Sequence, residues 1–228
     1  MEFKLADDLS KKLQININNI VREYWEMFVL NELYSATLGT DLIFKGGTAL
    51  RLAYNSPRFS EDLDFSSLNE MSFPDFKKVV ENIISQQKEL SLKEIYSKKN
   101  THFALIKFKQ EYLLETLSIK VEISKRKLLL KKDKDFKLST ASSPTSNLKP
   151  LVRVYTLERL LKEKLNALSS RKKPKDLFDV WLIGQLLKKP ISIPKINIEE
   201  KDIKRELNKL LPKPYQVVIP ELAKLCQK

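Results

Sequence analysis

Two short stretches of the sequence carry residue types able to handle phosphate and metal. The first is Gly46-Gly47-Thr48, which follows the apolar run Leu42-Ile43-Phe44 and precedes the helix-forming run Ala49-Leu50-Arg51-Leu52-Ala53-Tyr54. Adjacent glycines let a backbone approach closely, and a helix N-terminus aims free N–H groups and a favourable dipole at an anion. That suits a triphosphate, although a Gly-Gly pair also serves any turn that needs positive φ. The second stretch is Asp62 and Asp64, alternating with Leu63 and Phe65. Residues two apart on a strand leave the same face, so both carboxylates could share a divalent ion while the apolar pair enters the core. Magnesium prefers such oxygens together with phosphate oxygens. A solvated strand edge is the rival explanation, at the cost of like charges side by side.

A third carboxylate is available. In Leu117–Ser124 the apolar Leu117, Ile119, Val121 and Ile123 alternate with Ser118, Lys120, Glu122 and Ser124, which predicts a strand with Glu122 on its polar face. Three acids would complete a metal site for displacement of pyrophosphate by a hydroxyl; a salt bridge on an exposed sheet face explains Glu122 as readily. Arg58 and Ser60 flank the acid pair and either bind phosphate or brace the loop. Further on, Lys164 lies on a helix with the apolar stripe Leu157, Leu160, Leu161, Leu165 and Leu168, so its ammonium could reach into a cleft. Arg171 and Lys175 would add charge at the cleft mouth. Asp176 and Asp179, three apart near a helix N-terminus, have two readings: active-site acids, or a cap partner and an ion-pair partner of Arg171 or Lys175. Asp176 is the better active-site candidate.

These residues resemble a known family. The run Phe44-Lys45-Gly46-Gly47-Thr48-Ala49-Leu50-Arg51, then Arg58-Phe59-Ser60-Glu61-Asp62-Leu63-Asp64-Phe65, is similar to the signature of the nucleotidyltransferase AbiEii/AbiGii toxin family, within the polymerase-beta-like nucleotidyltransferase superfamily. Glu163-Lys164-Leu165-Asn166-Ala167-Leu168, Arg171 and Lys175-Asp176-Leu177-Phe178-Asp179-Val180 resemble its later element, with Lys175 at the basic position. The resemblance implies an NTP cradled by Lys45, Gly46, Gly47, Thr48, Arg58, Ser60, Lys164 and Arg171. It implies Mg2+ or Mn2+ on Asp62 and Asp64, with Glu122 as a third ligand, and catalytic roles for Asp62, Asp64, Lys164 and Asp176. It further implies a toxin of a toxin–antitoxin or phage-defence system, with RNA, notably the tRNA 3' end, as acceptor and an antitoxin as partner.

The elements that must position these groups point to an α+β fold: a polymerase-beta-like core of mixed sheet and flanking helices, then a helical C-terminal lobe. One or two helices open the chain over about 7–38. Further elements are a strand at 42–44, a helix from about Thr48, a strand at Asp62–Phe65, a helix from Phe73 to about Leu90, and strands at 92–98, 103–110 and 117–124. The basic run 125–137 and the Ser/Thr/Pro/Asn-rich 138–149 suggest a boundary, giving an α/β lobe at 1–138 and a helical lobe at 150–228. Helices are expected at 157–168, 176–187, 198–211 and 215–225.

Composition narrows the function classes. The chain has 228 residues and a net charge of +13, which favours polyanionic partners. With one cysteine, Cys226, and one histidine, His102, it has no disulfide framework, zinc cluster or histidine-based triad. His102 is expected to pack rather than catalyse, and Trp25, Trp181 and Tyr54 fit helical packing stripes. The N-terminus lacks an apolar signal, and no apolar run approaches the roughly 20 residues that span a bilayer, so a cytoplasmic protein without membrane contact is expected. A phosphate-loop kinase is disfavoured because G-x-x-x-x-G-K-[ST] is absent around Gly46. The main expectation is a magnesium-dependent nucleotidyltransferase; the alternative is a non-catalytic nucleic-acid-binding module on the same fold.

Overall fold

Apolar alternation and helix-ending signals translate into one mixed sheet with helices around it. In the computed structural model, which describes residues 1–226, the chain opens with α1 (Phe3–Leu13) and α2 (Ile17–Ser35), separated by Gln14 in a left-handed cap and by Asn16, whose side chain caps α2. Then come β1 (Leu42–Lys45), α3 (Gly46–Tyr54), β2 (Asp62–Ser67), α4 (Phe73–Ser85), β3 (Leu90–Lys98), β4 (Thr101–Phe108) and β5 (Leu117–Ser124). Next are β6 (Phe136–Thr140), β7 (Leu151–Tyr155), α5 (Leu157–Arg171), α6 (Pro174–Leu187), α7 (Glu200–Leu210) and α8 (Ile219–Leu225). The seven strands lie in the order β3-β4-β5-β2-β1-β7-β6. β2 runs antiparallel to β1 and parallel to β5, and β1 runs parallel to β7. The fold is α+β, a mixed sheet with flanking helices and a helical C-terminal part.

The predicted alternation of β5 is realised: Leu117, Ile119, Val121 and Ile123 are buried, and the polar set is half-exposed on the other face. β2 follows the same rule, with Leu63 and Phe65 fully buried. Beneath the sheet, α2 buries Ile20, Val21, Trp25, Met27, Val29, Leu30 and Leu33. Phe44 stacks on Phe65 with ring centroids 5.3 Å apart, joining β1 to β2 in the middle of this core. A second core lies among α5, α6, α7 and α8, around Leu177, Phe178, Ile203, Leu207 and Leu222. The seam between sheet and helices is filled by Ile43, Leu50, Phe136, Tyr155, Leu160 and Ile183.

Three expectations change. α4 stops at Ser85 rather than near Leu90, because Gln86 and Gln87 donate back to the carbonyls of Ile83 and Ile84 and turn the chain toward β3. Segment 138–149 does not separate an α/β half from an all-helical half. β6 and β7 flank it and both belong to the sheet, so the helical part starts with α5 at Leu157. Short strands such as Leu-Val-Arg-Val-Tyr take their stability from pairing with β1, which local composition does not reveal. The last expected helix is a 3₁₀ turn, Lys213–Val218, followed by α8. Among the described residues, no helix is long and apolar enough to cross a membrane.

Phe44→Ala removes a fully buried ring from the junction of β1 and β2. It should destabilise the protein by about 3–5 kcal/mol in urea unfolding, the usual range for emptying a core aromatic site.

Candidate active site

The face of the sheet opposite α2 and one side of α5, from Leu160 to Arg171, enclose a cavity of about 380 Å³. Its floor is built by register. β2 and β5 are parallel neighbours in which Asp62 pairs with Lys120 and Asp64 with Glu122, so three acids and one lysine form a two-by-two block on one face. The Lys120 ammonium lies 3.4 Å from Asp62 Oδ2, 3.8 Å from Asp64 Oδ1 and 3.5 Å from Glu122 Oε2. Burial drives the Asp64 carboxyl above its ordinary pKa; Lys120 counters this, while Asp62 and Glu122 reinforce it. Sequence reading found the acids but assigned Lys120 no role, although it shares the polar face of β5 with Glu122.

The glycine turn sits beside this block. Gly46 has φ +80°, and a Cβ there would stand 2.7 Å from Asp64 Oδ2. A Cβ at Gly47 would stand 2.8 Å from Ser60 Oγ and collide with the Arg58 guanidinium. Both positions therefore require glycine, one for backbone conformation and both for close approach. α3 begins here with no side chain capping its N-terminus, which leaves its first N–H groups available to an anion. Thr48 has a different role from the one its position suggests. It is fully buried, its hydroxyl donates to the backbone carbonyl of Asp62, and it does not line the cavity, so it ties α3 to the start of β2.

Cations stand around the acids: Lys45 is the register partner of Asp64 across β1 and β2, and Lys164, Arg171 and Lys175 come from α5 and the start of α6. Lys45, Lys164, Arg171 and Lys175 all line the cavity, as do Ser60 and Glu163, and Lys45 Nζ is 3.8 Å from Glu163 Oε2. Lys164 is nearly buried and donates to Asp176 Oδ1 at 3.1 Å and lies 2.6 Å from Asp179 Oδ2. Arg171 clamps Asp176 through Nε at 2.6 Å and Nη2 at 2.9 Å. Arg58 clamps Asp179 through Nε at 2.8 Å and Nη2 at 2.9 Å, and its Nη1 donates to the Phe59 carbonyl at 2.8 Å. With every guanidinium nitrogen engaged inside the protein, Arg58 braces the loop that leads into β2.

Asp176 and Asp179 are fully buried and do not line the cavity. Asp176, expected as an active-site acid, accepts from both Lys164 and Arg171 and so is placed to position them. Asp179 pairs with Arg58 and Lys164, not with Arg171 or Lys175. Burial tends to raise both carboxyls, but the surrounding cations outweigh it and hold them below the usual range. His102 packs, as its lack of partner acids suggested. Its ring is buried between Phe73 and Phe76, and Nε2 lies 2.9 Å from the Met71 carbonyl.

The residues fit a divalent ion by their chemistry: three carboxylates around one point already occupied by a positive charge, with an anion-ready helix terminus alongside. Among the described residues, no three His, Cys, Asp or Glu side chains are already drawn into a ligand set.

The two kinds of aspartate should answer mutation differently. Asp179→Asn leaves Arg58 and Lys164 undercompensated in the interior and should cost about 3–5 kcal/mol in chemical unfolding, as for other broken buried pairs. Asp64→Asn removes a carboxylate that burial and two like charges already disfavour, so its thermal midpoint should stay level or rise slightly. The pH dependence has a definite sign. Because the folded pKa of Asp179 lies below the ordinary 3.8, the native state binds fewer protons than the unfolded chain. The stability it adds is present above that ordinary value and lost as pH falls through the depressed one. Acid titration of unfolding should therefore show a shallower loss of stability below about pH 4 in Asp179→Asn than in the unmodified protein.

The architecture recurs in solved structures. The chain aligns with JHP933 from Helicobacter pylori at 19% identity and TM-score 0.60, covering 93% of this chain and 92% of that one. A putative nucleotidyltransferase from H. pylori aligns at 20% identity and TM-score 0.53, over 90% and 92%. MenT4, a nucleotidyltransferase toxin from Mycobacterium tuberculosis, aligns at 16% identity and TM-score 0.56, over 93% and 84%. At these identities the likeness is one of fold. No curated protein matches the sequence. The family model of the nucleotidyl transferase AbiEii toxin of type IV toxin–antitoxin systems matches residues 29–219, which take in the glycine turn, the carboxylate block and the Lys164–Asp179 network. On that match, the chain belongs to the AbiEii nucleotidyltransferase toxin family.

Proposed function

We propose that this protein transfers a nucleotide from an NTP to an acceptor hydroxyl on RNA, the tRNA 3' end being the favoured acceptor, with Mg2+ or Mn2+ as the resident ion. One observation carries the reading: the carboxylate block, the glycine turn and the cations of α5 converge on one cavity although they come from distant parts of the chain. Asp62, Asp64 and Glu122 would hold the metal, which when bound supplies a Lewis acid for phosphoryl transfer.

The chain's own residues do the rest. The N–H groups of Gly46 and Gly47 and the α3 dipole take phosphate oxygens. Lys164, steadied by Asp176 and Asp179, presents its ammonium to the same phosphates from the opposite wall, with Arg171 and Lys175 beside it. In the transfer the acceptor oxygen bonds to the α-phosphorus, the bond from that phosphorus to the bridging oxygen breaks, and pyrophosphate departs. The acceptor's proton passes to a carboxylate oxygen of the block. Placing the negative leaving group among fixed cations lowers the barrier without a covalent enzyme intermediate. The net charge of +13 supports a polyanionic acceptor, and membership of the toxin family supports a cognate antitoxin as partner.

The test is to incubate the protein with each of the four labelled NTPs, Mg2+ and a tRNA pool, and to sequence the RNA ends. Labelled 3' ends that vanish in Asp62→Ala are the expected result. RNA that binds without gaining label under any NTP would favour the non-catalytic alternative.

A further inference from the structure

A lysine at the centre of three carboxylates is an odd neighbour for a metal site, because it fills with a fixed charge the space an ion would need. Lys120 reaches Asp62, Asp64 and Glu122 at 3.4, 3.8 and 3.5 Å, and the strand register places it there, since it pairs directly with Asp62 across β2 and β5. Its side chain keeps 30% of its exposure, so it has room to swing outward along the cavity wall. The cations on the opposite wall differ. Lys164 is held by Asp176 and Asp179 and Arg171 by Asp176, so their paired acids are not those of the floor.

We propose that Lys120 is a built-in counter-cation that competes with the divalent ion for Asp62, Asp64 and Glu122, so that metal alone binds weakly and metal with a nucleoside triphosphate binds well. The inference rests on the metal-dependent reading above. Two linked contributions produce the coupling. The triphosphate adds oxygens that complete the metal's preferred octahedral shell, and it offers the displaced ammonium a new anionic partner in the same cavity. Lys120 therefore holds the empty floor together, guards it against an ion without substrate, and on displacement turns to the polyphosphate. By reciprocity, metal and nucleotide each raise the affinity for the other.

Water-proton relaxation titrations with Mn2+ test this in the full chain. Without nucleotide, Lys120→Met should bind Mn2+ about tenfold more tightly than the unmodified protein, because one opposing charge within about 4 Å is removed. Lys120→Arg, which keeps the charge, should remain weak. With all four NTPs present and no acceptor, the gap between Lys120→Met and the unmodified protein should narrow. A second readout needs no variant: acetylation of Lys120, followed by mass spectrometry, should speed up when the unmodified protein is saturated with Mn2+ alone. Equal or weaker Mn2+ binding by Lys120→Met, or a Lys120 acetylation rate indifferent to bound Mn2+, overturns the inference while leaving the metal reading intact if the unmodified protein binds Mn2+ with NTPs. Absence of Mn2+ binding in every protein even with NTPs overturns both.

Discussion

The site depends on a buried chain of charges that runs from the sheet into the helical part. Arg58, on the loop entering β2, is clamped by Asp179 of α6; Asp179 also holds Lys164 of α5; Lys164 shares Asp176 with Arg171. Breaking the Arg58–Asp179 or Lys164–Asp179 link leaves a charge undercompensated in the interior, although such a network adds little net stability over an apolar core. The network fixes the distance between the β2 acids and the α5 cations. The apolar seam of Ile43, Leu50, Tyr155, Leu160 and Ile183 supports it, with the Tyr155 hydroxyl donating to Ser66 at 2.9 Å.

The cavity is divided by charge in part. Asp62, Asp64 and Glu122 sit on the sheet with Lys120 and Lys45 among them, Lys164, Arg171 and Lys175 line the helical side beside Glu163, and the uncapped N-terminus of α3 opens onto the same cavity. A metal–triphosphate complex has the complementary distribution, with cation on one side and phosphate oxygens on the other. Asp176 and Asp179 lie behind the helical side of the cavity: they neutralise the buried Arg58 and hold Lys164 and Arg171, which line the cavity. On the floor, Lys120 stands in the corresponding place among Asp62, Asp64 and Glu122, with a more exposed side chain than Lys164.

What the sequence disclosed follows from the range of the interactions involved. The alternation of Leu117–Ser124 and the Asp62-Leu63-Asp64-Phe65 pattern are local, and they placed Glu122 and the acid pair on polar strand faces before any contact was known. The glycine turn was equally plain, because only Gly46 and Gly47 admit the close approach of Asp64, Ser60 and Arg58. The partners of charged residues were not legible. Arg58 and Asp179 lie 121 positions apart, and either reading of Arg58, phosphate ligand or brace, was consistent with its neighbours in sequence. Thr48 misled for a related reason: a hydroxyl at a helix start suits phosphate, but here it serves the backbone of Asp62. β6 and β7 were hidden in a segment whose Ser, Thr, Pro and Asn content describes the loop between them, while their pairing with each other and with β1 is a tertiary fact. Lys120 was visible on the right face, but only the register that sets it opposite Asp62 gives it a role.

On the proposed function, floor, turn and wall grip one metal–nucleotide complex. A crystal structure with Mn2+ and a non-hydrolysable NTP analogue, with the metal located by its anomalous scattering, addresses it directly. The expected result is a manganese peak bonded to Asp62 and Asp64, phosphates against the N–H groups of Gly46 and Gly47 and the ammonium of Lys164, and Asp176 and Asp179 unmoved. A nucleotide bound elsewhere, or manganese absent from the β2–β5 floor while nucleotide is present, would contradict it.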